Sequence, residues 1–162
     1  MVLVVGAKGG VGTTRVAQEL VKTSNALAVD LADGQLAAEL GRTAWALGPE
    51  IYQVGARQRA QFIDGILQRN ITLLWTPDCG AIEATWAFVQ ALDQRRLVVI
   101  DGGLEPPPGL DPLLSAVLIV TQDNDLARWH TAQLTARFPQ AEVIVGTREA
   151  AREWAAKKFR GV

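Results

Sequence analysis

The sequence has few of the residues that mark disulfide-bonded, metal-centred or membrane-spanning proteins. Its one cysteine, Cys79, excludes an internal disulfide. No signal peptide and no run of about 18 apolar residues is present, which predicts a cytoplasmic protein. The one histidine, His130, lies in a helical pattern without a cluster of cysteine, histidine or carboxylate residues, so we expect it to pack at a helix edge rather than bind a metal.

The sequence also lacks an excess of positive or of negative charge. The 16 basic and 17 acidic residues give a net charge of −1, so overall electrostatics offers no reason to expect nucleic acid as a partner. Hydrophobic residues make up 49% of the 162 residues, enough for a sizeable core. We therefore expect a single domain over residues 1–162.

Short apolar runs alternate with helical patterns along the chain. This order predicts an α/β fold, with a doubly wound, mostly parallel sheet and helices on both faces. Segments 43–55 and 102–112 show neither pattern and are predicted to be loops. The predicted strands are Val2–Val5, Ala26–Asp30, Ile71–Trp75, Leu97–Asp101, Ala116–Thr121 and Glu142–Val145, and the predicted helices are Thr14–Thr23, Gln35–Gly41, Ala56–Arg69, Ala81–Leu92, Asn124–Phe138 and Glu149–Lys158.

A glycine-rich segment follows the first predicted strand. Glycine lets backbone amides converge on a phosphate, and the start of the next helix adds positive potential. The usual pattern G-x-x-x-x-G-K-[ST] would have lysine where Thr13 lies, while Thr14 keeps the hydroxyl that holds a nucleotide-bound Mg²⁺. The predicted cofactor is ATP or ADP with Mg²⁺, and its phosphates would be bound by Gly9, Gly10, Val11, Gly12, Thr13 and Thr14.

Two predicted strands end in an aspartate, at the sheet edge where ligands of open parallel sheets bind. The strand Leu97–Asp101 precedes two glycines, so Asp101 is a candidate Mg²⁺ ligand and the Gly103 amide a candidate γ-phosphate contact. Asp30 is assigned to the same metal site. The alternative for Asp101 is a role in a cap or turn.

The segment from Lys8 to Thr14 resembles the deviant Walker A loop, K-G-G-V-G-K-T, of the MinD/ParA family of P-loop ATPases. Lys8 matches the signature lysine of that loop, which in the family reaches across a nucleotide-sandwich dimer to the partner's phosphates. The resemblance therefore implies a catalytic role for Lys8 and a homodimer that depends on nucleotide. Order and spacing of the predicted elements are also similar over most of the chain.

Three departures from the family pattern concern catalysis. Thr13 replaces the lysine that holds the β- and γ-phosphates. Ala32 lies where the family has its second V-D-x-D aspartate, and Asp33 follows one residue later. Asp33 is a catalytic candidate, but the interpretation we favour is an N-cap of the next helix. The segment from Gly146 to Arg148 replaces the adenine-contacting asparagine.

Several functions remain open. The favoured one is a weak ATPase or nucleotide-responsive localisation and scaffold factor. The loop also resembles the TadZ/CpaE-like proteins, which implies a pilus or secretion ATPase, or a polar protein, as partner. The alternatives are a catalytically dead, nucleotide-independent interaction module and a ParA-like DNA partition ATPase.

The last helical pattern carries an apolar stripe flanked by basic residues. Such a stripe either lies on an anionic membrane surface or covers the sheet, and we favour the second interpretation. Its residues are Ala151, Trp154, Ala155, Phe159 and Val162.

Overall fold

Strands and helices alternate throughout the computed structural model, which describes residues 1–31, 33–48, 53–75 and 82–159. A short 3₁₀ helix at Asp111–Leu113 precedes the sixth strand. The strands are β1 (Val2–Gly6), β2 (Leu27–Asp30), β3 (Ala44–Ala46), β4 (Thr72–Leu74), β5 (Val98–Asp101), β6 (Ala116–Thr121) and β7 (Glu142–Val145), and the helices are α1 (Thr13–Ser24), α2 (Gln35–Leu40), α3 (Ala56–Arg69), α4 (Ile82–Asp93), α5 (Asp125–Arg137) and α6 (Arg148–Lys158).

All seven of these strands form one parallel sheet in the order β3-β4-β2-β5-β1-β6-β7. β1 lies inside the sheet, between β5 and β6, and its five residues are buried. Asp30 and Asp101 are paired in register at the ends of β2 and β5. The carboxyl edge of the sheet therefore brings together the glycine-rich loop and both predicted metal ligands.

The sheet separates two apolar layers, because successive side chains of a strand point to opposite faces. On one face, α1, α2 and α6 cover Val2, Val4 and their neighbours. On the other face, α3, α4 and α5 cover Leu3, Val5 and their neighbours. The predicted doubly wound α/β fold with helices on both faces is confirmed.

Each predicted strand matches an observed strand, but a seventh, β3, was not predicted. It lies within the segment 43–55 that was predicted to be a loop. β3 has three residues and sits at the sheet edge beside β4, with only Trp45 partly buried. Three residues are too few to show alternation. Trp45 packs edge-on against Phe62 of α3, with ring centroids 5.4 Å apart, and this tertiary contact supports the strand.

The apolar stripe of the last helix faces the core. Ala151, Trp154 and Ala155 of α6 are buried in the same layer as α1. Arg152 of α6 is also paired with Glu19 of α1 at 2.5 Å. The stripe thus covers the sheet, as the favoured interpretation predicted; Val162 lies outside the described residues.

Candidate functional site

The glycine-rich loop joins β1 to α1 and is anchored on both sides. The Gly6 N–H donates to the Gly103 carbonyl at 2.8 Å, and the Ala7 N–H donates to the Val120 carbonyl at 2.8 Å. Gly103 follows β5 and Val120 belongs to β6, the two neighbours of β1. The base of the loop is therefore held by both adjacent strands.

Two glycines give the loop a backbone conformation that residues with side chains rarely adopt. Gly10 has φ 78° and Gly12 has φ 95°, both in the left-handed region. Gly12 directly precedes α1, and no side chain caps the first turn of that helix. The N-terminal amides of α1 therefore lie next to the loop, and they are available to donate hydrogen bonds to an anion.

Thr13, which stands in the position of the usual lysine, packs back over the start of the loop. A Cβ built on Gly6 would lie 2.3 Å from the Thr13 Oγ1 and 3.2 Å from Val11 Cγ2. Only glycine at position 6 leaves room for this arrangement. The Thr13 hydroxyl thus occupies the loop but brings no positive charge to it.

A cleft of about 370 Å³ lies between the loop, the start of α2 and the end of β5. Most of the predicted site residues line it, including Lys8, Asp33 and Asp101. Val11 and Asp30 are not among them; the Val11 side chain is buried in the core, so it can contribute only its backbone. The lining residues are Lys8, Gly9, Gly10, Gly12, Thr13, Thr14, Arg15, Asp33, Gln35, Glu39, Asp101, Gly103 and Leu104.

Asp101 has an unusual environment for a carboxylate. It is 1% exposed, and burial is the main cause that raises its pKa from 3.8 to about 6. The Thr14 hydroxyl and the Gly103 amide oppose this shift, and the nearby Asp30 and Asp33 add to it. Oδ1 accepts from the Gly103 N–H at 3.2 Å, whereas buried Oδ2 has no hydrogen-bond partner among the described residues. A cation bound in the cleft would satisfy this oxygen.

The two other predicted aspartates contact the start of α2. Asp30 is buried, and its Oδ2 accepts from the Leu36 N–H at 3.0 Å. Asp33 is exposed, and its Oδ1 accepts from the Gln35 N–H at 3.1 Å. The N-cap of α2 is Gly34, and no side chain makes a cap hydrogen bond there, so the favoured interpretation of Asp33 as the N-cap is wrong. Glycine takes that position because its φ of 82° lies in the left-handed region, and Asp33, one residue earlier, instead accepts within the turn before the helix and lines the cleft.

Lys8 is partly buried and lines the cleft. Within the described part of the chain it has no hydrogen bond or ion pair. It also borders a second groove, of about 400 Å³, together with Leu104, Leu126 and His130. Leu104 is 50% exposed and Leu126 is 55% exposed. His130 is partly buried and its ring meets Trp129 edge-on, in keeping with the packing role predicted for it.

Sequence reasoning missed one contact at the loop. The backbone of Gly146, just after β7, touches the backbone of Val11 and Gly12. Gln35 and Glu39 were also not singled out, although they line the cleft from α2. The sequence of a short helix or of a glycine after a strand does not indicate such contacts, because the contacts depend on how separate elements pack together.

The described residues contain no group of three or more histidine, cysteine, aspartate or glutamate side chains that could form a metal site alone. Over the same residues, no helix is long and apolar enough to cross a membrane.

Comparison with known proteins gives little further guidance. No family model matches the chain, and no curated protein matches it significantly. A similar solved structure is that of a ParA family ATPase from Chlorobium tepidum TLS, with 14% sequence identity and a TM-score of 0.47. The likeness covers 96% of this chain and 78% of that chain. At such values it carries no conclusion about function.

Proposed function

We propose that the protein binds ATP or ADP with Mg²⁺ in the cleft between the glycine-rich loop and β5. The observation that carries this proposal is Asp101, a buried carboxylate in the cleft wall whose Oδ2 has no hydrogen-bond partner among the described residues. A buried carboxylate oxygen without a partner is costly, and a bound cation would offset that cost. The loop and the uncapped start of α1 supply the amides that polyphosphates require.

The residues present fit Mg²⁺. This ion prefers oxygen ligands and is usually held by one or two carboxylates together with substrate phosphates and water. Asp101 and the Thr14 hydroxyl would hold it. Asp30, also assigned to the metal site, uses one oxygen for the Leu36 amide, which makes it the weaker candidate. When bound, Mg²⁺ supplies positive charge that stabilises the phosphate oxygens.

Hydrolysis in this cleft would be slow or absent. A hydrogen bond from a charged group contributes about 1.5–3 kcal/mol, and Thr13 cannot make the bond that the usual lysine makes. Asp33 has one oxygen engaged by the Gln35 amide. Together with the resemblance of the loop to MinD/ParA proteins, these features favour a nucleotide-responsive localisation or scaffold factor. The replacement of the usual lysine by Thr13, taken by itself, would also favour the alternative function, a module that binds protein partners without nucleotide.

We extend the proposal to a homodimer that forms when nucleotide binds. Lys8 has no partner within the described residues and lies beside exposed Leu104 and Leu126. An unpaired cation next to exposed apolar side chains suits a second copy that brings phosphate oxygens to Lys8. A pilus or secretion ATPase as further partner rests on the resemblance alone.

Titration with ATP·Mg²⁺ by calorimetry, with light scattering to follow mass, tests the proposal. We expect wild type to bind, and Thr13→Lys to bind about ten- to a hundredfold more tightly. Thr23→Lys, which adds the same charge at the far, exposed end of α1, is the matched control and should leave affinity unchanged.

Two results would contradict parts of this account. If neither wild type nor Thr13→Lys binds nucleotide, the loop is not a nucleotide site and a scaffold function is favoured. If Thr13→Lys binds no more tightly than wild type, the missing lysine does not limit affinity. A salt-dependent shift of duplex DNA by the protein would favour the partition alternative.

A further inference from the structure

The turn after β7 meets the glycine-rich loop backbone to backbone. A Cβ built on Gly146 would lie 1.6 Å from the Val11 carbonyl oxygen and 2.8 Å from the Val11 carbonyl carbon. A Cβ built on Gly12 would lie 2.7 Å from the Gly146 carbonyl oxygen. These are backbone atoms, so no side-chain rotation can relieve such a clash. The contact therefore leaves room only for glycine at positions 146 and 12.

The turn that carries Gly146 is itself closely held. The Thr147 N–H donates to the Val145 carbonyl at 2.7 Å, which closes a three-residue turn centred on Gly146. The Thr147 Oγ1 then accepts from the Ala150 N–H at 3.1 Å and caps α6. Gly146 is thus fixed between the end of a strand and the capped start of a helix.

Helix α6 ties this turn to the helix that follows the loop. Trp154 of α6 is buried in the layer that it shares with α1. Arg152 is paired with Glu19, which is only 7% exposed. The Arg148 guanidinium also donates to the Gln18 side chain at 3.5 Å. The turn before α6 is therefore fixed relative to α1, the helix that follows the loop, by contacts at the middle of α1.

We propose that Gly146 is a positioning residue for the glycine-rich loop. Its backbone supports the Val11–Gly12 peptide, and this support keeps the loop amides pointing into the cleft. A methyl group at position 146 would displace that peptide. The atoms nearest to the methyl group belong to the loop backbone, so they can move only if the loop moves. The consequence for phosphate affinity rests on the proposed function, whereas the displacement of the loop does not.

The test compares Gly146→Ala with Gly65→Ala by two-dimensional ¹⁵N–¹H NMR without ligand. Gly65 lies within α3, where an added Cβ would meet nothing within 4 Å. We expect Gly146→Ala to shift the amide resonances of Gly10 and Gly12, and Gly65→Ala to leave them in place. Changes confined to the turn and α6 would overturn the proposal.

Affinity gives a second readout on the same proteins. We expect Gly146→Ala to bind ATP·Mg²⁺ on the order of tenfold or more weakly, since each displaced amide loses a hydrogen bond to phosphate. Both titrations are made well below the melting temperature of each variant, so that the proteins are fully folded and general destabilisation does not contribute to the loss. Unchanged affinity in Gly146→Ala would overturn the proposal. If wild type binds no nucleotide, the proposed function fails, and the ligand-free spectra still decide the role of Gly146.

Wild type alone provides a measurement if Gly146→Ala does not fold. The contact predicts nuclear Overhauser effects between the α-protons of Gly146 and those of Gly12, because a Cβ on Gly12 would be 3.4 Å from the Gly146 Cα. Their presence would support the proposal. Their absence would overturn it, since a residue that does not touch the loop cannot position it.

Discussion

Replacing Asp101 by asparagine should stabilise the ligand-free protein at neutral pH. Burial raises the pKa of Asp101 from 3.8 to about 6, so folding disfavours the ionised form. At 1.36 kcal/mol per pKa unit, this shift lowers the free energy of unfolding by about 3 kcal/mol above pH 7. Asparagine can still accept from the Gly103 N–H but buries an amide without a partner, at a cost of about 1–3 kcal/mol. The expected net gain above pH 7 is therefore up to about 2 kcal/mol.

The sign of the pH dependence follows from the direction of the shift. Because the pKa of Asp101 is higher in the folded state, wild type loses stability as pH rises from about 4 to about 6, while Asp101→Asn lacks this loss. At pH 3.5, where Asp101 is protonated in both states, Asp101→Asn should therefore be somewhat less stable than wild type, and its relative stability should rise with pH to a plateau above pH 7.

Urea unfolding at pH values from 3.5 to 8 measures this difference directly. Asp64→Asn is the control, because Asp64 is an exposed partner of Arg95 on the surface and its loss should change stability little. A difference between wild type and Asp101→Asn that does not vary with pH would refute the reasoning. So would a variant less stable than wild type at pH 7.5.

Other substitutions test separate parts of the account. Lys8→Ala should abolish the ATP-dependent rise in mass seen by light scattering, with no change in the melting temperature; persistence of the dimer would exclude Lys8 from the interface. Asp33→Ala should lower the free energy of unfolding by about 0.5–1.5 kcal/mol, measured by urea unfolding, because the Gln35 N–H loses its acceptor, and unchanged ATP turnover would limit Asp33 to holding this turn. Leu20→Ala, at a fully buried α1 position, should cost about 2–5 kcal/mol by urea unfolding, and a cost below about 1 kcal/mol would contradict the packing.

The sequence was sufficient to predict the central strands β1, β2 and β5 because all of their residues are buried. Val2–Val5 and Leu97–Ile100 are continuous apolar runs, and such runs are typical of parallel strands covered on both faces. β3 shows no comparable signal, since two of its three residues are exposed and its support comes from Trp45 packing on Phe62. Edge strands of this kind depend on tertiary contacts that local pattern does not encode.

Some features of the candidate site could likewise be predicted from the sequence, and others could not. Glycines, Thr14 and Asp101 follow strand ends at spacings typical of phosphate sites, and the sheet brings them to one edge. The hydrogen bond from Leu36 to Asp30 was not predicted, because it joins a strand end to a helix start by side-chain geometry. The contact of Gly146 with the loop joins residues more than a hundred positions apart. Only the folded chain reveals it.

The most direct test of the central claim is calorimetric titration of wild type and Asp101→Asn with ATP, in Mg²⁺ and in excess EDTA. The account predicts binding by wild type in Mg²⁺, and binding at least about tenfold weaker both in EDTA and in the variant. The control Asp64→Asn should bind like wild type. Equal affinity of wild type and Asp101→Asn in Mg²⁺, or no binding under any condition, would contradict the account.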